Sequence, residues 1–360
     1  MAKPEHYFPA DYRSARAAFV EACGASGIGI ASRLHPSAKG PDGGPLFIDV
    51  ATIGPRDAKT ALLLISGTHG VEGYFGSGVQ TGLLREGIAK RAFRKGKVVL
   101  LHALNPFGFS WNRRVNEDNA DVNRNFIDHR RPPVNTAYDA LADAIAPRDL
   151  SADALDEANA KLGAYARAHG LFALQEAISA GQWRHRKGVY FGGRRKSWSA
   201  RMLTDVFKKE LAGLEDLTVI DFHTGLGDCG AAEMITEDVP GTPAYARAKS
   251  LWRERVHSSE AGESVSAPLK GTIDKAMARW MARKTLTFAA LEVGTAPIRE
   301  VFEALRRDNW LHAYSGMAHA QAKSIKREIR AAFYPDTVDW KRKVWDHARD
   351  TVHAALATIA

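Results

Sequence analysis

The chain has 360 residues, of which 45% are hydrophobic, 25% charged and 9% aromatic. These fractions match globular averages and exclude a disordered or collagen-like chain. Its two cysteines, Cys23 and Cys229, form no CxxC pair, which excludes a disulfide scaffold and a cysteine-rich zinc module, and the net charge of +9 favours anionic partners.

The N-terminal stretch has no apolar run of signal-peptide length. The longest apolar runs, 61–65 and 98–101, are far too short to span a bilayer, so a soluble, cytoplasmic protein without a membrane contact is expected. Residues 61–65 (ALLLI) and 97–101 (KVVLL) read as buried strands. Further on come 217–221 (LTVID) and 285–291 (TLTFAAL), all rich in Leu, Ile and Val and bounded by Gly, Pro or polar residues.

Between Pro132-Pro133 and about Leu211 the sequence is Ala- and Glu-rich and predicts helices without a strand. We read this stretch, about 132–211, as a helical insertion into a single domain spanning 1–360. A helix is expected from Ser199 to about Leu211, with Leu203, Val206, Phe207 and Leu211 on one face. Another should begin with Pro297 in its first turn and run to about His312, and a last one should start at Asp339. Apolar strands separated by amphipathic helices predict an α/β fold: a central mixed, mainly parallel sheet flanked by helices.

Four segments carry residues that packing does not need, and each lies at or just past a predicted strand end, where open α/β sheets form ligand crevices. After strand 61–65 comes Ser66-Gly-Thr-His-Gly-Val-Glu-Gly73, whose His69 and Glu72 are two candidate metal ligands. After strand 217–221, His223 in Asp221-Phe-His-Thr-Gly225 supplies a third. Two histidines and one glutamate suit zinc and leave one position open, as a catalytic site requires. A third segment, Arg114-Val-Asn-Glu-Asp-Asn-Ala-Asp-Val-Asn-Arg-Asn-Phe126, is dense in arginine and asparagine, residues that match carboxylates. The fourth is Leu291-Glu-Val-Gly-Thr295, where Glu292 ends an apolar strand, a costly place for a carboxylate unless it is paired or poised for chemistry.

In this order the four segments resemble the zinc metallocarboxypeptidase superfamily, including its aspartoacylase and succinylglutamate desuccinylase branch, over about Leu62 to Thr295. Asp121-Val-Asn-Arg-Asn-Phe126 is close to the carboxypeptidase wording and Leu291-Glu-Val-Gly294 to the aspartoacylase wording. The resemblance implies one Zn2+ per chain on His69, Glu72 and His223, and a proton-transferring Glu292. It further implies oxyanion stabilisation by Arg114, and a substrate carboxylate held by Asn123 and Arg124. The substrate would be a peptide or N-acyl amino acid with a free carboxylate.

One departure concerns the tyrosine that closes over substrate some twenty residues before the catalytic glutamate in carboxypeptidases. Residues 246–291 contain none, and Tyr190 in the glycine-flanked loop 188–193 is the candidate replacement.

Other classes fit less well. Gly76-Ser-Gly78-Val-Gln-Thr-Gly82 has the wrong spacing for a dinucleotide loop, and neither a Walker A pattern nor G-x-S-x-G occurs. The basic loop Trp183–Trp198, with six Lys and Arg residues and two tryptophans, is the basis of the alternative, a nucleic-acid or anionic-ligand binding protein. Cys229 is expected to be a buried structural thiol.

Overall fold

The computed structural model describes residues 3–90, 93 and 96–359. Helix α1 (Tyr12–Ala25) starts at a capping box on Asp11 and Ser14 and leads to an antiparallel pair, β1 (Ile30–Lys39) and β2 (Pro45–Ile53). Next come β3 (Thr60–Ile65), α2 (Gly73–Arg85), β4 (Gly96–His102) and the short α3 (Pro106–Ser110). Helices α4 (Thr136–Ile145), α5 (Ala152–His169), α6 (Leu171–Ser179) and α7 (Trp198–Val206) follow. Then the chain returns to the sheet through β5 (Asp216–Thr224), β6 (Ala232–Thr236), α8 (Pro243–Trp252), β7 (Val256–Ser258), α9 (Ile273–Trp280) and β8 (Thr285–Val293). Helices α10 (Ile298–Trp310), α11 (Ala322–Phe333) and α12 (Val338–Leu356) complete it.

The strands form one eight-stranded sheet, ordered β1-β2-β4-β3-β5-β8-β6-β7. Its centre is parallel (β4-β3-β5-β8), while β2 and β6 join that centre antiparallel. The fold is the expected mixed, mainly parallel α/β sheet, and all four expected strands are the central ones. They read as unbroken apolar runs because both faces are covered. Leu62, Leu64, Val98 and Leu100 pack toward α1, α2, α8 and α12, whereas Leu63, Ile65, Val99 and Leu101 pack toward α7 and α9. Each such side chain contributes roughly 1.5–3 kcal/mol on burial.

The helices expected at 199–211 and 297–312 are present as α7 and α10, each continued by one wider turn (207–211 and 311–315). Pro297 is the cap before α10 and not a first-turn residue. Between 132 and 211 the described residues hold helices and one isolated bridge, Gln182 to Phe191, with no strand. Helices α4 to α6 share a separate apolar cluster built on Tyr138, Leu141, Ile145 and Leu162.

The glycine run after β3 is the buried α2. A Cβ on Gly82 would lie 2.3 Å from the Trp345 ring, so glycine there admits α12 and cradles no phosphate. No described helix is long and apolar enough to cross a membrane. Cys229 corrects an expectation: it is exposed, in a loop that swings out after β5 between Gly227 and Gly230, both at positive φ.

Candidate metal centre and active site

The sheet register does most of the positioning. In the parallel β5–β8 pair, His223 lies directly opposite Glu292, so both side chains leave the same face at the same level. On β5, Asp221 is two residues before His223 and therefore shares that face. The turn after β3 brings His69 and Glu72 alongside, and the Arg113–Arg114 segment fastens it: Gly70 N–H donates to the Arg114 carbonyl (3.1 Å) and Val71 N–H to the Arg113 carbonyl (2.8 Å). Gly70 is required by close approach, since a Cβ there would sit 2.0 Å from the Gly108 carbonyl carbon. This backbone contact places the Arg114 side chain against Glu72.

The result is a compact buried cluster. Ligand-type atoms of His69, Glu72 and His223 all lie within 4.8 Å of one another. Glu72 Oε1 is 2.9 Å from His69 Nδ1, Glu72 Oε2 is 3.0 Å from His223 Nδ1, and the two Nδ1 atoms are 3.2 Å apart. These residues are 1–4% exposed, so water does not screen them.

The outward nitrogens are also occupied by carboxylates. His69 Nε2 is 3.1 Å from Asp121 Oδ1, and His223 Nε2 is 2.9 Å from Asp221 Oδ2. Thr68 Oγ1 donates to Asp221 at 2.8 Å and holds it in turn. At His223 the carboxylate on Nε2 favours the tautomer whose Nδ1 faces the cluster with its lone pair, while His69 Nε2 lies between the Asp121 carboxylate and the Arg114 donor. Two histidine nitrogens and a carboxylate converging on one point form, with the imidazoles neutral, a donor set that fits a zinc-like cation.

The charges respond to this packing. Burial disfavours the ionised form of Glu72, yet His69, His223 and Arg114 outweigh it and hold the carboxyl well below its usual range. Asp121 likewise stays ionised against burial, through His69 and Arg114. Burial opposes charge on His223, but Asp221 and Glu72 raise it well above an ordinary histidine. Glu292 goes the other way: burial first, then the Glu72 carboxylate, push it up to about 8. One of its oxygens accepts the Leu226 N–H at 2.9 Å.

Arg114 bonds Asp121 through Nε and Glu72 through Nη1, both at 3.0 Å, and its Nη2 lies 2.8 Å from His69 Nε2. Arg124 is anchored to backbone: Nε and Nη2 to the Ser179 carbonyl, and Nη1 to that of Asn123. Each Nη of Arg124 keeps one further N–H. The Asn123 carboxamide oxygen accepts Ile273 N–H at 2.8 Å, which ties this loop to the start of α9. Tyr190, at φ 54°, lies over both guanidiniums, 5.1 Å from Arg114 and 5.7 Å from Arg124.

The structure therefore brings the three candidate ligands and Arg114 into one cluster. Glu292 stands beside His223 on the sheet, and Tyr190 links the cluster to Arg124. Asn123 lies next to Arg124, with its side-chain oxygen already engaged. Two participants were overlooked in the sequence: Asp121 and Asp221, both present in the segments singled out but given no role. For Asp221 a signal existed, because residues two apart on a strand share a face. For Asp121, in an irregular loop, there was none.

This is an α/β protein with a buried two-histidine, one-glutamate centre at the end of its parallel strands. Residues 8–347 match the family model DUF2817, described as a protein of unknown function, and the chain belongs to that family. No curated protein matches it. Among solved structures it is similar to an aspartoacylase family protein from Mesorhizobium loti (15% identity, 80% of this chain and 68% of that chain, TM-score 0.39). It is also similar to a metallo-carboxypeptidase from Burkholderia cenocepacia (11%, 98% and 71%, TM-score 0.47) and a succinylglutamate desuccinylase from a Silicibacter species (14%, 85% and 65%, TM-score 0.40).

Proposed function

We propose that the chain is a zinc-dependent hydrolase of an amide bond adjacent to a carboxylate-bearing group, in a peptide or an N-acyl amino acid. The observation that carries this reading is the convergence of His69, Glu72 and His223 within 4.8 Å, with Glu292 opposite His223 on the neighbouring strand. His69 Nδ1, Glu72 and His223 Nδ1 would hold the metal, with Asp121 and Asp221 keeping the two rings in place. When bound, zinc supplies Lewis acidity toward a carbonyl oxygen and a water.

The remaining chemistry belongs to the chain. Glu292, ionised beside the bound cation, takes a proton from the attacking water and returns it to the leaving nitrogen. Arg114 directs its free N–H groups at the oxygen that becomes negative. The two unused N–H groups of Arg124 receive the substrate carboxylate in a fork, Asn123 shapes the adjoining wall, and Tyr190 covers the bound chain. The lack of a tyrosine at 246–291 favours deacylation over peptide cleavage.

The test is a hydrolysis screen of N-acyl amino acids and C-terminal dipeptides with zinc-loaded and chelator-treated protein. Release of free amine that depends on the metal is expected. Equal, chelator-insensitive rates would remove the metal from the reaction, and no hydrolysis of any free-carboxylate substrate by metal-loaded protein would refute the proposal.

A further inference from the structure

The basic residues of the loop Trp183–Trp198 take no part in the chemistry above. Their charges are unequally satisfied. Arg184 pairs with Asp139 at 2.8 Å, Lys187 lies over the Tyr314 ring, and Lys196 donates to Thr204. By contrast, Arg186 and Arg194 have no side-chain ion pair or hydrogen bond among the described residues. Arg195 has only a long, exposed contact to Asp118, at 3.4 Å.

These three arginines line one cavity of about 290 Å3 together with Asp118, Phe191 and Ser197. The walls beneath them are fixed. Phe191 O accepts Asp121 N–H at 2.7 Å, and Asn125 bonds the carbonyls of Gly192 and Arg195 at 2.7 and 3.0 Å while accepting Ser197 N–H at 2.8 Å. Ser197 also caps α7, so the positive end of that helix adds to the field of the cavity wall.

We propose that this cavity is a binding site for the phosphate group of a small phosphorylated molecule, separate from the metal centre. Three guanidiniums against one carboxylate leave a formal excess of two positive charges, which a dianionic phosphate balances and a single carboxylate does not. Planar guanidinium forks match phosphate oxygens in pairs. The volume is at the small end of ligand pockets, suited to a compact group and not to a polymer lying across the surface. The floor is continuous with the active centre: Phe191 bonds the backbone of Asp121, and Tyr190 beside it covers Arg114 and Arg124. A ligand here is thus either the far end of a phosphorylated substrate or a separate effector.

Isothermal titration calorimetry of the full chain with inorganic phosphate and with glycerol phosphate tests the site. Saturable binding is expected, weakened about tenfold or more in R186Q/R194Q and retained in H223A. Unchanged thermal unfolding shows that the double variant is folded. If glycerol phosphate is the model of a substrate tail, phosphorylated N-acyl amino acids show a lower KM through the same arginines. An effector instead changes the hydrolysis rate of an unphosphorylated substrate. Three results would overturn the proposal: no saturable phosphate binding, binding unaltered in R186Q/R194Q, or a single-stranded oligonucleotide bound far more tightly with a steep salt dependence.

Discussion

Arg113 and Arg114 are adjacent in the chain and serve opposite ends. Arg113 enters a structural ion-pair network: its Nε pairs with Asp308 at 3.0 Å, its Nη2 donates to Asn119, and Lys326 bonds the other Asp308 oxygen. Burial works against ionising Asp308, but Lys326 and Arg113 keep it charged, while burial lowers Lys326 to about 8 and His312 to about 3. Arg114 instead enters the candidate metal cluster, where its guanidinium meets Asp121 and Glu72 and its Nη2 lies 2.8 Å from His69 Nε2. Both arginines pair with buried carboxylates. The lesson is that burial and charge do not by themselves mark a functional site. What separates the two is what they stand beside: Arg114 borders the converging His69, Glu72 and His223, whereas the Arg113 network contains only fixed salt-bridge partners.

The comparison can be broken at several points. The largest expected effect is at Glu292: E292Q should retain metal and fold while kcat falls by roughly 10²–10⁴. Near-normal turnover would remove Glu292 from the mechanism. Next come the two arginines. R114K keeps the charge without the fork and should reduce kcat on the order of 10²-fold. R113Q should instead cost about 3–5 kcal/mol of stability by leaving Asp308 short of a partner, with kcat per folded molecule preserved. Denaturant unfolding and steady-state kinetics on both variants would separate the roles, and an exchange of the two phenotypes would invert the account. A smaller change is expected in D221N, a positioning variant: metal affinity about 10–100-fold weaker, read by competition with a chelator, with KM unaltered.

The smallest effect concerns pH. Glu292 is protonated in the metal-free fold up to about 8, whereas an unfolded glutamate releases its proton near 4.5. The folded state therefore binds more protons between those values, and this contribution to stability is lost as pH rises through about 8. The melting temperature of the metal-free wild type should fall over that range, and E292Q should flatten the decline. Parallel curves for the two proteins would contradict the burial-driven shift.

What the sequence disclosed follows the same physics. The central strands were legible because burial on both faces demands continuous apolar residues. The flanking strands were not. β1 (IASRLHPSAK) is half exposed, and the apolar run of β2 is interrupted by Asp49, which is fully buried but paired with Arg16 at 2.7 Å. The candidate ligand set could be proposed because His69, Glu72 and His223 stand at strand ends in a recognisable order. The roles of Asp121 and Asp221 depend on which imidazole nitrogen faces inward, which only side-chain geometry shows. Arg124 was expected as a carboxylate clamp, yet two of its five N–H groups anchor the Ser179 carbonyl at the end of α6 and a third bonds the Asn123 carbonyl. Residue type announces the charge and not how much of it the fold already uses. Cys229 erred for a related reason, since hydrophobic character does not keep a residue inside a loop that turns outward.

The central claim is the metal centre, and metal content by plasma mass spectrometry on tag-free protein tests it most directly, wild type beside H223A. About one zinc per chain in the wild type, lost from the variant while its fold is retained, is the predicted result. No metal in the wild type after zinc is offered and excess removed, or the same content in both proteins, would contradict it.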